Sequence, residues 1–203
     1  MRSIIAASIA ALSFATPAPC DDVAEPSTGV TFASKVDGYT LLGVGLRVKK
    51  IIFIRAKVYA VGLYVSDAAL GGPLAAYKGK LDSPEFFRDL QWGDFGKHLL
   101  LKFVRSVGQG QVQDAMREAL AGRTDPKLLD RFVGYFPAIR EGQECVLAWG
   151  PGGALEVSMV GQAKPPIASK EFAAAVFGLY VGETPLQPEI KKGLVSRAAE
   201  VLR

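Results

Sequence analysis

The chain has very little of what most metal and hydrolytic sites are built from. Its 203 residues include one histidine, His98, and two cysteines, Cys20 and Cys145. A single imidazole and no cysteine pair at ligand spacing leave zinc sites and histidine-based triads without their parts, and no metal site is expected. Gly108-Gln109-Gly110 lacks the third glycine of a dinucleotide fingerprint and reads as a helix entry. Basic clusters are scarce as well. Lys49-Lys50 and Lys191-Lys192 are isolated pairs without stacking aromatics beside them, so nucleic-acid binding has no support. The apolar residues 4–15 fall short of the ~20 that a spanning helix needs, no later run reaches that length, and no membrane span is expected. Repeats and low-complexity tracts are missing too.

What is present suits one well-cored domain: 49% of residues are hydrophobic and 22% charged. The N-terminus has the charged start, short apolar centre and small-residue exit of a secretory signal peptide, with Ser13-Phe14-Ala15 as the cleavage site. Residues 1–15 are therefore expected to be removed and the protein to be periplasmic or secreted, with residues 16–27 a polar tail and 28–203 the domain. The net charge of +4 falls to +3 with the loss of Arg2 and bears mainly on solubility. Cys20 invites a lipoprotein reading, against which Pro19 argues. In an oxidising compartment Cys20 and Cys145 are either joined in a disulfide or remain two unpaired thiols, and the sequence leaves both open.

Strand-forming residues dominate 29–65, interrupted by Asp37-Gly38, which points to an antiparallel sheet. A short helix over 74–78, strands over 86–91 and 99–107, and helices over 108–121 and 126–136 follow. A hairpin around Pro151-Gly152-Gly153 joins strands 144–149 and 155–160, and helices over 169–180 and 188–202 finish the chain. Strands first and helices later predict an α+β fold with helices packed on one face of the sheet.

The most informative stretch is 43–64, GVGLRVKKIIFIRAKVYAVGLY, where Arg47 stands in an apolar, glycine-relieved run. Alternation places Leu42, Val44, Leu46 and Val48 on one face and Gly43, Gly45 and Arg47 on the other. Two interior glycines weaken a strand, and close approach of a ligand or another backbone is a common reason to tolerate them. An arginine beside such an open patch reads as an anion handle.

The Gly43-x-Gly45-x-Arg47 segment followed by Val58-Tyr59-Ala60-Val61-Gly62-Leu63-Tyr64 resembles the chalcone isomerase family. The family includes isomerases that close a chalcone to a flavanone, and non-catalytic relatives resembling fatty-acid-binding proteins. The resemblance implies an open-faced antiparallel sheet with helices on one face. It also favours a turn centred on Phe53, which would set Arg47 opposite Tyr59 as a guanidinium and phenol clamp for a carboxylate or enolate. The substrate-positioning residues of true isomerases (arginine, a hydroxyl, tyrosine, asparagine, and a late threonine or serine) fall on Arg47, Tyr59, Gln111, Glu118 and Leu179. Only the arginine is retained. Gln111 and Glu118, seven residues apart, would share a helix face, so Glu118 becomes a counter-anion if that face meets Arg47.

These residues imply a monomeric binding protein for a small apolar ligand with an acidic head, such as a fatty acid, needing no cofactor. The alternative is an intramolecular lyase or isomerase acting on a conjugated substrate. His98, next to strand residues, reads as a surface or strand histidine and is the sole nitrogen candidate for a third reading, haem ligation.

Overall fold

Asp37 and Gly38 both take left-handed φ values, 47° and 78°, as a two-residue hairpin turn demands, and they reverse the chain so that Val36 pairs with Tyr39. The computed structural model describes residues 22–51 and 54–203. The expected leader, its cleavage site, Cys20 and Phe53 lie outside the described residues. Strands β1 (Asp22–Ala24) and β2 (Thr31–Ala33) pair as a separate ribbon, while β3 (Lys35–Val36), β4 (Tyr39–Ile51) and β5 (Ile54–Ser66) begin the main sheet. Helices α1 (Asp67–Gly71) and α2 (Pro84–Trp92) follow, then β6 (Lys97–Phe103), α3 (Gln109–Leu120) and α4 (Pro126–Val133). Strands β7 (Glu144–Trp149), β8 (Leu155–Met159) and β9 (Gln162–Ile167) complete an antiparallel meander in the order β3-β4-β5-β6-β7-β8-β9. Helices α5 (Lys170–Val181), α6 (Pro188–Gly193) and α7 (Ala198–Val201) close the chain. The curled sheet carries its main core on the helix side, and the α+β class with helices on one face holds.

Several elements differ from the sequence reading, and local chemistry explains the following ones. Residues 86–91, expected as a strand, lie in α2: Ser83 Oγ accepts from the Phe86 N–H at 3.2 Å and Pro84 occupies the first turn, so the capping chemistry outweighs the apolar pair Phe86-Phe87. Strand β9 has no counterpart in that reading because Pro165-Pro166 argue against a strand; it is the edge strand, where a missing donor is tolerated. The single helix expected over 188–202 breaks after Gly193, where the Arg197 N–H leaves the helix to donate to the Leu42 carbonyl at 2.8 Å. Within the stretch expected as a polar tail, residues 22–24 form β1, and the buried Glu25 carboxylate ties the turn to β2 by accepting from Ser27 and Thr28.

The pairing of β4 with β5 slips twice. Pairs near the hairpin end, such as Ile51 with Ile54, are centred between residues 52 and 53; beyond an extra residue at Val58 the centre moves to 53, which sets Arg47 opposite Tyr59. A second extra residue, Leu42, shifts it back, so Leu41 faces Tyr64. Bulges of this kind re-aim side chains. Leu42 therefore joins the helix-side core, not the face of Val44 as strict alternation predicts, while Leu41, Val44, Ala60 and Tyr64 pack under Phe32 on the opposite face.

Gly43 and Gly45 sit on the helix side, and the close approach they permit is to backbone. A Cβ at Gly43 would lie 2.3 Å from the Gly193 carbonyl oxygen, and one at Gly45 3.2 Å from Ile190 Cα. The gap beside Arg47 is thus filled by α6, which corrects the expectation of an open patch. Gly43→Ala should cost about 1–3 kcal/mol through overpacking against main chain that cannot rotate away. Gly110→Ala, in open space in the first turn of α3, should be neutral or stabilising by up to about 1 kcal/mol. Urea denaturation of both variants checks the contrast.

Candidate functional site

Residues directly opposite across an antiparallel pair project to the same side, so the rung Arg47, Tyr59 and Phe103 across β4, β5 and β6 points toward the helices. The bulge at Val58 adds a further residue to that side, and Val58, Tyr59 and Ala56 all line one cleft with Arg47. Its far wall is the first turns of α3, through Gln111, Val112, Ala115 and Met116, with a volume of about 140 Å³. Arg47 is half-buried, and among the described residues no carboxylate pairs with it.

Tyr59 is 4% exposed, and its hydroxyl lies 3.1 Å from that of Tyr180, which α5 brings in from the other side of the core. Burial raises both phenol pKa values. The mutual hydrogen bond lowers that of Tyr59 and raises that of Tyr180, and the Arg47 charge lowers both without reversing the rise. Both phenols stay neutral at physiological pH. One of the two hydroxyl protons is consumed between them. When Tyr180 is the donor, the Tyr59 proton is free for an acceptor in the cleft.

Of the expected site residues, the fold brings together Arg47, Tyr59 and Gln111. Gln111 Oε1 accepts from the Gly108 N–H at 3.2 Å, capping α3 and leaving its amide nitrogen as a donor. Glu118 is exposed and does not line the cleft, because seven residues along α3 carry it past the end of the pocket; it is no counter-anion to Arg47. Leu179 is buried in the core, and its neighbour Tyr180 supplies the polar group instead. Nearly all of α5 from Phe172 to Val181 is buried, so helical periodicity carries no sign of which residue faces Tyr59. Arg105 and Ser106 also escape the sequence reading. The strand expected over 99–107 includes both, whereas β6 ends at Phe103 and both residues turn into the cleft mouth.

Other ionisable groups lie elsewhere. His98 stacks on Tyr64 at 4.8 Å between centroids and meets Tyr39 edge-on, on the face opposite the cleft, and burial draws its pKa down to about 4. Lys97, 1% exposed, donates to the Gly93 carbonyl at 2.7 Å and sits 4.0 Å from the Trp149 ring centroid. Burial pulls its amine down to about 7, while those two contacts favour the ammonium. It starts β6, roughly 20 Å of strand from Phe103. Cys145 is buried in β7 with its thiol pushed up to about 11, which makes it unreactive. Among the described residues no helix is long and apolar enough to cross a membrane, and no cluster of three or more His, Cys, Asp or Glu is placed to hold a metal.

A curled antiparallel sheet with a helix-roofed cleft built on an arginine defines a chalcone-isomerase-type fold. The chain belongs to the chalcone isomerase-like family, whose profile matches residues 27–196. It is similar to chalcone isomerase-like protein 1 of Humulus lupulus, at 29% identity over 80% of this chain and 84% of that protein. It also resembles a chalcone–flavanone isomerase of Clitoria ternatea, at 28% identity over 84% and 86% of the two chains. Among solved structures, a fatty-acid binding protein of Arabidopsis thaliana has the same fold, with a TM-score of 0.79 at 24% identity, covering 90% of this chain and 99% of that one.

The phenol pair makes a double-mutant prediction. Tyr180→Phe strands the buried Tyr59 oxygen and should cost about 1–3 kcal/mol, whereas Tyr59→Phe/Tyr180→Phe, which removes both partners, should cost less than the single change. Because the folded-state pKa values lie above the unfolded value, their stabilising contribution is complete below pH 10 and is lost as pH rises above it. Alkaline unfolding of the double variant should accordingly shift to higher pH.

Proposed function

We propose that this chain is a binding protein for an apolar molecule with an anionic head, a fatty acid being the plainest example. The observation that carries this reading is Arg47: a half-buried guanidinium without a protein carboxylate among the described residues, beside the Tyr59 phenol, in a cleft whose wall includes the apolar side chains of Val58, Phe103, Val112, Met116 and Leu186. A buried-edge cation of this kind is better satisfied by a bound anion than by water alone. Fatty-acid binding by the Arabidopsis protein of the same fold agrees with it.

Cleft size separates this reading from the isomerase alternative that the relatives' names raise. At about 140 Å³ the space is well below the roughly 300–1,000 Å³ of pockets that enclose drug-sized ligands. A flexible acid can seat its head and first methylenes there, and Met116, an adaptable side chain, can yield to more. A rigid, planar two-ring chalcone has no such option. Of the donors an isomerase would aim at a developing enolate, Leu179 offers none and Glu118 is outside. Chalcone cyclisation followed by absorbance should therefore not exceed the spontaneous rate by more than about tenfold, given that each oxyanion donor is worth roughly 10² or more. Robust turnover would favour the enzyme.

Isothermal titration with octanoate and its methyl ester tests the anchor. Octanoate should bind more tightly than the ester, and Arg47→Ala should remove about 1.5–3 kcal/mol from the acid alone. Glu118→Gln should leave both affinities unchanged. Equal affinity for acid and ester, unaltered by Arg47→Ala, would return the arginine to a structural role. We further read residues 1–15 as a cleaved export leader; N-terminal sequencing of protein from its native compartment should find a start near Thr16, and an intact Met1 would overturn this.

A further inference from the structure

The charge balance of the cleft says more about its ligand than one arginine does. The groove between α2 and α5 sets Arg88, Arg123 and Lys191 among Asp82, Glu171 and Glu183, and the cleft beside β1 sets Arg55 near Glu25 and Glu189. Signs are mixed in both. The Arg47 cleft carries Arg47, Lys49 and Arg105, with no carboxylate among its described lining residues, and none of the three is in an ion pair among the described residues. We propose that this cleft takes a single-chain amphiphile with a dianionic phosphomonoester head, and that Lys49 and Arg105 are the specificity-determining residues for its second charge. The inference rests on the anionic-amphiphile reading of the same site and narrows it.

Placement supports the assignment. Lys49 lies opposite Ala56 on one side of β5, and on the other side Arg105 follows Val104, whose N–H donates to the Val58 carbonyl at 3.0 Å. Ala56 and Val58 line the cleft, so the two exposed cations flank its mouth while Arg47 stands further in. A monoanion at Arg47 leaves two like charges uncompensated at the rim. A phosphomonoester brings about −1.5 to −2 charges near neutral pH and three acceptor oxygens. Donors for those oxygens are at hand: Ser106 Oγ accepts from the Glu141 N–H at 3.2 Å and keeps its own proton to donate, and the first turn of α3 presents the positive end of the helix dipole.

Titration calorimetry at pH 8 and low salt, with octyl phosphate, methyl octyl phosphate, octanoate and inorganic phosphate as probes, tests this. Octyl phosphate should bind about tenfold more tightly than octanoate or the monoanionic methyl diester, the sum expected of two partly exposed ion pairs. The advantage should shrink as salt is added. In Lys49→Ala/Arg105→Ala this ratio should fall to within about threefold, because only the dianion carries a second charge for these two cations. Octanoate binding that depends on Arg47, with no preference for octyl phosphate over its diester, would overturn the dianion inference and leave the carboxylate reading standing. A preference that survives in the double variant would overturn the roles of Lys49 and Arg105. Binding of octyl phosphate but not octanoate would sink the fatty-acid example and uphold the dianion. Inorganic phosphate binding as tightly as octyl phosphate would overturn the amphiphile, and no binding of any probe would overturn both readings.

Discussion

Everything the site does depends on the register of β4 against β5. Two one-residue slips, at Val58 and at Leu42, cancel over the length of the hairpin, and only between them does Arg47 stand opposite Tyr59 and on the helix side. Were either slip absent, the side-chain period of two would send residues beyond it to the other face. The bulge at Val58 also enlarges the cleft wall, because Ala56, Val58 and Tyr59 then share one side.

The same register places Gly43 and Gly45 beneath α6. There Gly193 completes a contact in which a Cβ on any of the three residues would meet main-chain atoms of the other element. This contact holds the end of the chain against the sheet, helped by the Arg197 N–H to Leu42 carbonyl bond. Leu186, which precedes α6, closes one edge of the cleft. The glycine motif and the arginine are therefore parts of one arrangement with separate tasks: the glycines seat α6, and the arginine is left facing the pocket that this seating helps to enclose.

Polar groups in the cleft are graded by depth. Innermost is Tyr59, which bonds to Tyr180 in the core behind it, and both remain neutral because burial outweighs the attraction of Arg47 for a phenolate. Arg47 is half-buried above them, and Lys49 and Arg105 are in water at the rim. Such a gradient suits a ligand whose charge stays near the mouth while its apolar end meets Phe103, Val112 and Met116.

Local chemistry made much of the fold legible. The Asp37-Gly38 turn, helix α3 after Gly108, the β7–β8 hairpin and the α+β order follow from turn residues, spacing and composition, and the opposition of Arg47 to Tyr59 follows from the family motif. Where reading failed, two local signals competed: Phe86-Phe87 against the Ser83 cap in α2, and Pro165-Pro166 against an edge strand that tolerates them. Other facts had no local signal at all. Leu42's face depends on a bulge, the neighbour of Gly43 comes from a residue 150 positions later, and Tyr180 meets Tyr59 across 121 positions from a helix buried on almost every side. The sequence by itself determined which side chains could hold an anion. Only the tertiary structure decided that Glu118 is excluded, that Lys49 and Arg105 line the cleft and that Tyr180 backs Tyr59 from the core, because pairing register and helix docking fix direction in space and neither is encoded in a single segment.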